Sequence, residues 1–132
     1  MPNCYLLAIC HSSSLDSSTN NWSLFNLIEQ IGVKDFPFSP PVETHTYWQF
    51  TADEYEVDFE ARLAFICDDK IVAQSNPLPL RSNTARFRLR VLGTPPIQRS
   101  GNYEVRAEWR KLDSASWTRS ACFWPLQVEQ LQ

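Results

Sequence analysis

The stretch at residues 85–91, ARFRLRV, places an apolar side chain at every second position and an arginine between each pair. Two further stretches have the same period, residues 55–66 (YEVDFEARLAFI) and residues 103–110 (YEVRAEWR). Side chains of a β-strand point alternately to its two faces, so a period of two predicts a strand with one buried face. The three stretches therefore predict an antiparallel β-structure.

Length and composition restrict the way these strands can be assembled. The chain has 132 residues, the size of one domain, and its five Trp, four Tyr and eight Phe can supply large buried areas. It has only three Gly, so most turns must be formed by Pro, Asn, Asp and Ser. We predict an all-β fold: one antiparallel, immunoglobulin-like β-sandwich of about eight strands that spans residues 1–132.

Turn-forming residues separate the predicted strands at fairly regular intervals. A polar loop is expected at 12–21, a tight turn at Asp68-Asp69-Lys70 and another turn at 76–79. The segment 22–33 is ambiguous, because its apolar positions fit a helical stripe ended by Gly32 and fit a bulged strand equally well. We favour the strand because the surrounding segments are β. The predicted strands are 4–11, 22–33, 44–51, 55–66, 71–75, 84–92, 103–110 and 117–128.

A tyrosine near the start of one predicted strand supports the sandwich. Tyr103 follows Gly101-Asn102 and precedes the inward position Val105 by two residues. This spacing resembles the tyrosine corner of immunoglobulin-like sandwiches, in which the hydroxyl bonds back to the preceding loop. Val105 stands where antibody domains carry a cysteine, so we expect no inter-sheet disulfide at that position.

The order of these segments resembles that of a family of small uncharacterised bacterial β-sandwich proteins. The resemblance rests on an apolar strand from Leu6 to Cys10, a second strand from Trp22 to Val33, the Phe36-Pro37 connector and the Gly101-Asn102-Tyr103 segment. The chain departs from the family in lacking Gly-rich turns. The resemblance implies a fold and no activity, since it carries no assigned catalytic residues.

The four cysteines predict a reducing compartment. Cys4, Cys10, Cys67 and Cys122 lie beside or within apolar runs, and no two have the Cys-x-x-Cys spacing. They are typical of small buried hydrophobes, although an even count leaves three complete disulfide pairings open. The apolar run at 4–10 is short, with no basic residue before it and no small-residue cleavage site after it, which disfavours a signal peptide. No stretch is long enough to span a membrane, and we expect a soluble, cytoplasmic protein.

Charge is unevenly distributed along the chain. Residues 1–66 carry 2 basic and 9 acidic residues, whereas residues 67–132 carry 10 basic and 6 acidic residues. Arg86, Arg88 and Arg90 share one face of one predicted strand, and arginine is the side chain that makes bidentate contacts in interfaces. We identify these three arginines as a candidate partner-binding face for an acidic protein surface.

One other interpretation of the arginines stays open, and a second is disfavoured. They could form a cross-strand salt-bridge ladder, either with Glu104 and Glu108 or with Glu56, Asp58 and Glu60. A nucleic-acid partner is disfavoured, because the sequence pI is about 5.3 and nucleic-acid-binding domains are usually basic. The oligomeric state is not determined by the sequence, and a homodimer is possible.

No pattern in the sequence predicts catalysis or metal binding. The segment from His11 to Asp16 contains triad residue types, but it lacks the supported nucleophile turn and oxyanion hole that catalysis needs. His11, His45 and the cysteines lack paired zinc-ligand spacing, and Asp68-Asp69 lacks the alternation of a calcium loop. We expect no catalytic residue, no cofactor and no metal site, and we interpret His45 as an ordinary strand residue.

The function predicted from these observations is a non-enzymatic interaction or accessory module. It would bind through the arginine face or through an unpaired edge strand. The alternative is a carbohydrate-binding module that uses exposed aromatic rings, although core packing is expected for most of Trp48, Trp109, Trp117 and Trp124. A third possibility, a small hydrolase built on the His11 segment, has the least support.

Overall fold

The computed structural model describes residues 1–132 and contains ten β-strands and one short 3-10 turn at Ala52–Glu54. The prediction of an all-β fold is confirmed, although the sequence indicated about eight strands. The strands are β1 (Asn3–Asp16), β2 (Asn21–Leu27), β3 (Gln30–Val33), β4 (Glu43–Gln49), β5 (Phe59–Cys67), β6 (Lys70–Gln74), β7 (Leu78–Leu80), β8 (Arg86–Leu92), β9 (Gly101–Lys111) and β10 (Thr118–Gln130).

The strands form two sheets. The four-stranded sheet has the order β2-β1-β4-β8, and all of its pairs are antiparallel. The six-stranded sheet has the order β3-β10-β9-β5-β6, with β7 paired to β5 beside β6. Because β8 ends the first sheet, one of its two backbone edges has no neighbouring strand.

The hydrophobic core lies between the two sheets. Trp48 on β4 and Phe65 on β5 are fully buried, as the period of two predicts for their inward faces. The inward residues of β9 that the sequence singled out, Tyr103, Val105, Ala107 and Trp109, are all buried as well. Burial of this many large apolar side chains is the main source of the stability of the fold.

The ambiguous segment 22–33 is a strand that changes sheets. Its first part, β2, pairs with β1, and its second part, β3, pairs in parallel with β10. The two residues between them, Ile28 and Glu29, form hydrogen bonds to different sheets. Ile28 N donates to Ile9 O on β1, and Glu29 O accepts from Gln127 N on β10. Strand pairing on both sides satisfies the backbone, so the extended form is adopted in place of the helix.

Several predicted boundaries were wrong by one or more residues, and three of these differences change the arrangement of the strands. The expected polar loop at 12–21 is mostly a hairpin, because β1 continues to Asp16 and β2 begins at Asn21. The strand predicted from residue 55 begins at Phe59, since Glu56 has a φ of 62° and interrupts extended backbone. The turn predicted at 76–79 contains the start of the short strand β7, which pairs with Phe59–Ala61.

Two local predictions are confirmed. Asp68 and Asp69 have φ angles of 53° and 63°, the left-handed conformations that a tight two-residue hairpin turn needs. The Tyr103 hydroxyl donates a hydrogen bond to the backbone carbonyl of Arg99, as the tyrosine-corner spacing predicted.

The chain forms no helix with the length and apolar character needed to cross a lipid bilayer.

Candidate functional site

The three predicted arginines lie on the outer face of β8, at the edge of the four-stranded sheet. In the β4–β8 pair, Arg86 is opposite Gln49, Arg88 is opposite Tyr47 and Arg90 is opposite His45. Their alternation with Phe87, Leu89 and Val91 turns the apolar residues toward the other sheet. The sequence therefore identified the shared face of the three arginines correctly.

The three guanidinium groups have different surroundings. Arg90 Nε donates to Glu43 Oε1 at 2.6 Å, and its guanidinium lies 5.8 Å from the Trp22 ring. Arg88 Nη1 donates to Asn20 O at 2.6 Å, and Tyr47 lies beneath its guanidinium. The exposed Arg86 side chain makes no ion pair or hydrogen bond. Two of the three arginines thus hold the β1–β2 hairpin over the sheet, and only Arg86 is free.

The backbone N–H and C=O groups of β8 point alternately toward β4 and toward the open edge, from one residue to the next. Ala85 O accepts from Phe50 N, and Gly93 N donates to Val42 O, so the odd-numbered residues between them turn their backbone groups toward β4. The even-numbered residues then turn theirs to the open edge: Arg86, Arg88, Arg90 and Leu92. The residues with outward side chains on this strand are therefore also those whose backbone groups face no neighbouring strand, and at one of them, Arg86, the carbonyl accepts from the Thr84 hydroxyl at 3.0 Å.

Depressions in the surface border both ends of β8. One, of about 390 Å³, lies between Leu78 and the Val91–Pro96 segment, and the other, of about 370 Å³, lies between Arg86 and residues 81–84. Between them, Phe87, Leu89 and Val91 are only half-buried, although they point toward the core. Leu92, at the end of the strand, is 68% exposed. The open edge thus combines apolar surface, unpaired backbone groups and a free guanidinium.

The salt-bridge ladder expected for these arginines is formed by other arginines on the opposite sheet. Glu108, which is buried, accepts from Arg62 at 2.8 Å and from Arg119 at 3.3 Å. Arg110 pairs with Glu60 and Arg106 with Glu104 in the same layer. The expected partnership of Arg86, Arg88 and Arg90 with these acids, or with Glu56 and Asp58, was wrong because β8 belongs to the other sheet. Glu43, the acid that does pair with Arg90, lies beside it on β4.

The tryptophans do not form an exposed platform. Trp48 and Trp109 are in the core, and Trp124 Nε1 donates to Ile28 O at 2.7 Å. Trp117 is half-buried between two guanidinium groups, with Arg62 at 4.0 Å and Arg110 at 4.4 Å from its ring. Trp22 is half-buried against His45. The tryptophans therefore do not supply the coplanar row of exposed rings that would favour sugar binding.

A buried polar cluster that the sequence did not predict lies behind Arg90. Cys10, Glu43 and His45 are all buried on the outer face of the four-stranded sheet, beneath Trp22 and the β1–β2 hairpin. Cys10 is directly opposite Glu43 in the β1–β4 pair, and His45 lies two residues further along β4 on the same face. The Ser13 hydroxyl donates to Glu43 Oε1 at 2.7 Å. The i, i+2 spacing of Glu43 and His45 was the signal in the sequence, but their pairing with Cys10 depends on register.

The pKa of each titratable group in the cluster is shifted from its ordinary value. Burial raises the pKa of the Cys10 thiol and lowers the pKa of the His45 imidazole. Burial also opposes ionisation of Glu43, but hydrogen bonds from Ser13 and Arg90 outweigh it and hold the pKa of that carboxyl below its usual value. Glu43 is therefore the anchoring negative charge of the cluster.

The remaining candidates from the sequence have ordinary structural roles. His11 is exposed on β1, and Asp16 accepts from the Ser18 hydroxyl at 2.7 Å within the hairpin turn, so the two are not joined in a triad. Asp68 and Asp69 form the β5–β6 turn. No protein-family model matches this chain, and no curated protein matches its sequence. The resemblance to uncharacterised bacterial sandwich proteins stays a prediction, and the geometry alone carries the functional argument.

Proposed function

We propose that this protein is a non-enzymatic interaction module that accepts an extended, acidic segment of a partner protein as an additional strand beside β8. The observation that carries the proposal is the open edge of β8, whose even-numbered residues turn their backbone groups toward the position of an incoming strand, while their arginine side chains line the outer face of the sheet beside it. Main-chain hydrogen bonds give affinity in this binding mode, and alternate side chains give specificity.

The chemistry of the edge determines the kind of segment that fits. An added strand would turn one set of its side chains toward the half-buried Phe87, Leu89 and Val91 and the other set toward Arg86 and its neighbours. Apolar residues suit the first set, and Asp or Glu suits the second, because the Arg86 guanidinium is free and the Arg88 guanidinium bonds only a neutral carbonyl, which gives that face a positive potential. The expected ligand alternates acidic and apolar residues.

A second copy of this chain is a poor occupant of the same edge. If two β8 strands paired with each other, the arginines of one copy would face the arginines of the other, and like charges directly opposite each other destabilise a sheet. The arrangement therefore favours an acidic partner of a different sequence over self-association at β8.

We also infer that the sandwich is of the immunoglobulin-like type. In support, Tyr103 near the start of β9 bonds back to Arg99, two residues before the buried Val105, and Trp48 is buried between the sheets. We assign the protein to a reducing, cytoplasmic setting on the ground that its four thiols are unpaired and three of them are buried.

The test uses a displayed library of random peptides, selected on the wild-type protein and then compared on two variants. Arg86→Pro removes the outward N–H and the guanidinium, whereas Arg86→Ser removes the guanidinium and keeps the N–H. Proline is tolerated in edge strands, so both variants should fold. We expect selected peptides to alternate acidic and apolar residues, to bind Arg86→Ser a few-fold more weakly, and to bind Arg86→Pro about tenfold more weakly than wild type.

Amide exchange measured by NMR then locates the bound peptide. The N–H groups of Arg88 and Arg90 should exchange fast in the free protein and become protected in the complex, while those of Leu89 and Val91 stay protected in both. The proposal is overturned if no peptide is selected, if Arg86→Pro binds as well as Arg86→Ser, or if protection appears at another edge such as β6.

A further inference from the structure

The buried Cys10, Glu43 and His45 cluster has the geometry of a set of metal ligands. One ligand atom from each side chain lies within 4.8 Å of the other two, and His45 Nε2 is 3.6 Å from Glu43 Oε1. Zinc bonds of about 2.0–2.3 Å in a tetrahedron separate neighbouring ligand atoms by roughly 3.5 Å. The ligand atoms therefore need to approach one another by no more than about 1.3 Å to reach coordination distances.

An independent observation points to a missing ligand at this place. His45 is 1% exposed, and its Nε2 atom has no hydrogen-bond partner. A buried polar atom without a partner is costly, and native structures usually satisfy such atoms. The orphaned nitrogen faces a carboxylate and lies beside a thiol, and a cation is the group that all three side chains could bind together.

We propose that Cys10, Glu43 and His45 form a site for one Zn²⁺ ion, with the fourth coordination position left to water. A thiolate and an imidazole nitrogen favour zinc over magnesium or calcium, which prefer oxygen ligands. On binding, the Cys10 thiol gives its proton to solvent, and the ion then has a thiolate, a carboxylate and a neutral imidazole around it.

The neighbours of the cluster support this assignment. Arg90 and Ser13 both bond Glu43 Oε1, which orients the carboxylate as outer hydrogen-bond partners do at metal sites, while Oε2 has only a long 3.3 Å contact with Ser13. Arg90 is the cationic group at the cluster. Its charge opposes that of the ion, and the two anionic ligands balance much of this repulsion. The Trp22 ring, 5.4 Å from the His45 ring, shields the site. A bound ion would tie β1 and β4 together beneath the β1–β2 hairpin.

The test titrates chelator-treated protein with Co²⁺, which reports thiolate ligands by a near-ultraviolet charge-transfer band, and then displaces it with Zn²⁺. We expect the band to saturate at one equivalent, to vanish on addition of Zn²⁺ and to be lost in Cys10→Ser. It should persist in the matched cysteine variant Cys122→Ser. Zinc at about a hundredfold excess over its Kd should raise the Tm of the wild type by roughly 5 °C or more.

A second measurement does not depend on any variant, in case Cys10→Ser fails to fold. X-ray absorption of the zinc-loaded wild-type protein should give one sulfur ligand and otherwise nitrogen and oxygen ligands. The proposal is overturned if wild type shows no thiolate band, if folded Cys10→Ser keeps it, or if the absorption data require no sulfur or two sulfurs. None of these results bears on strand addition at β8, which is tested without metal.

Discussion

The thiol of Cys4 on β1 lies 3.8 Å from the thiol of Cys122 on β10, and the pair bridges the two sheets of the sandwich. The sequence left three complete pairings open, whereas the structure brings only these two sulfurs into contact. Burial and the neighbouring Cys122 both raise the pKa of the Cys4 thiol, which keeps it in its less reactive, protonated form.

We expect the thiol-specific oxidant diamide to convert Cys4 and Cys122, slowly, into one intramolecular disulfide. The two thiols lose two hydrogens to the oxidant, and the sulfurs must approach each other by about 1.8 Å. The cross-link should stabilise the fold by about 2–4 kcal/mol, because it closes a long loop. Non-reducing peptide mapping and urea unfolding measure both effects. A disulfide that involves Cys10 or Cys67 in the folded protein would contradict this expectation.

Glu108→Gln should destabilise the protein by about 1–3 kcal/mol. Glu108 is 4% exposed and pairs with both Arg62 and Arg119, so its neutral substitute leaves partly buried guanidinium charge without compensation. The matched control is Asp58→Asn, which breaks an exposed pair with Arg81 and should cost less than about 0.5 kcal/mol. Urea unfolding compares the two variants, and equal costs would show that the ladder contributes nothing beyond a surface pair.

Arg90→Ala and Arg86→Ala should differ although the two arginines share one strand face. Arg90 pairs with the buried Glu43, so its loss should cost about 1–3 kcal/mol, while loss of the unpartnered Arg86 should change stability by less than about 0.5 kcal/mol. Thermal unfolding of both variants measures the difference. If Arg86→Ala lowered stability as much as Arg90→Ala, the distinction between the ion-paired Arg90 and the free Arg86 would be refuted.

Tyr103→Phe should lower the free energy of unfolding by about 1–2 kcal/mol. The variant keeps the buried ring and removes only the hydroxyl that donates to the Arg99 carbonyl, which then lacks this partner. Tyr5→Phe, at a half-exposed ring, is the control and should be nearly neutral. Chemical denaturation tests the pair, and a neutral Tyr103→Phe would remove the support for a tyrosine corner.

Glu54 should contribute a stability that disappears in acid. Burial raises the pKa of its carboxyl, but hydrogen bonds from the Met1 amine and from Thr51 outweigh burial and hold the folded-state pKa below the usual 4.5. A carboxyl whose pKa is lower in the folded than in the unfolded protein stabilises the fold at pH values above its unfolded-state pKa. For Glu54 this stabilisation is lost as the pH falls from about 4.5 through the lower pKa of the folded state.

Glu54→Gln tests this dependence, because the amide oxygen still accepts from Thr51 N while the charge is removed. The stability difference between wild type and variant should be constant at neutral pH and shrink below about pH 4.5. Asp69→Asn, at an exposed turn residue, serves as the control. A difference that does not change between pH 7 and pH 3 would contradict the assignment.

The strand-forming stretches and their buried faces were predictable because alternation is a local property of the chain. The inward registers of β5, β8 and β9 follow from the period of two alone, and so does the shared face of Arg86, Arg88 and Arg90. The Asp68-Asp69 turn and the Tyr103 hydrogen bond depend on residues a few positions apart, and both were predicted correctly.

Tertiary structure alone decided which side chains come into contact on those faces, because strand pairing joins residues far apart in sequence. The segment 22–33 divides between two sheets because β1 and β10 each present an open edge to a different half of it. Arg90 meets Glu43 because β8 pairs with β4, and Cys10 joins Glu43 and His45 because β1 pairs with β4 on the other side. By itself, the sequence determined which residues β5, β8 and β9 turn inward or outward. Strand order and register determined which arginine is free and where three ligand atoms converge.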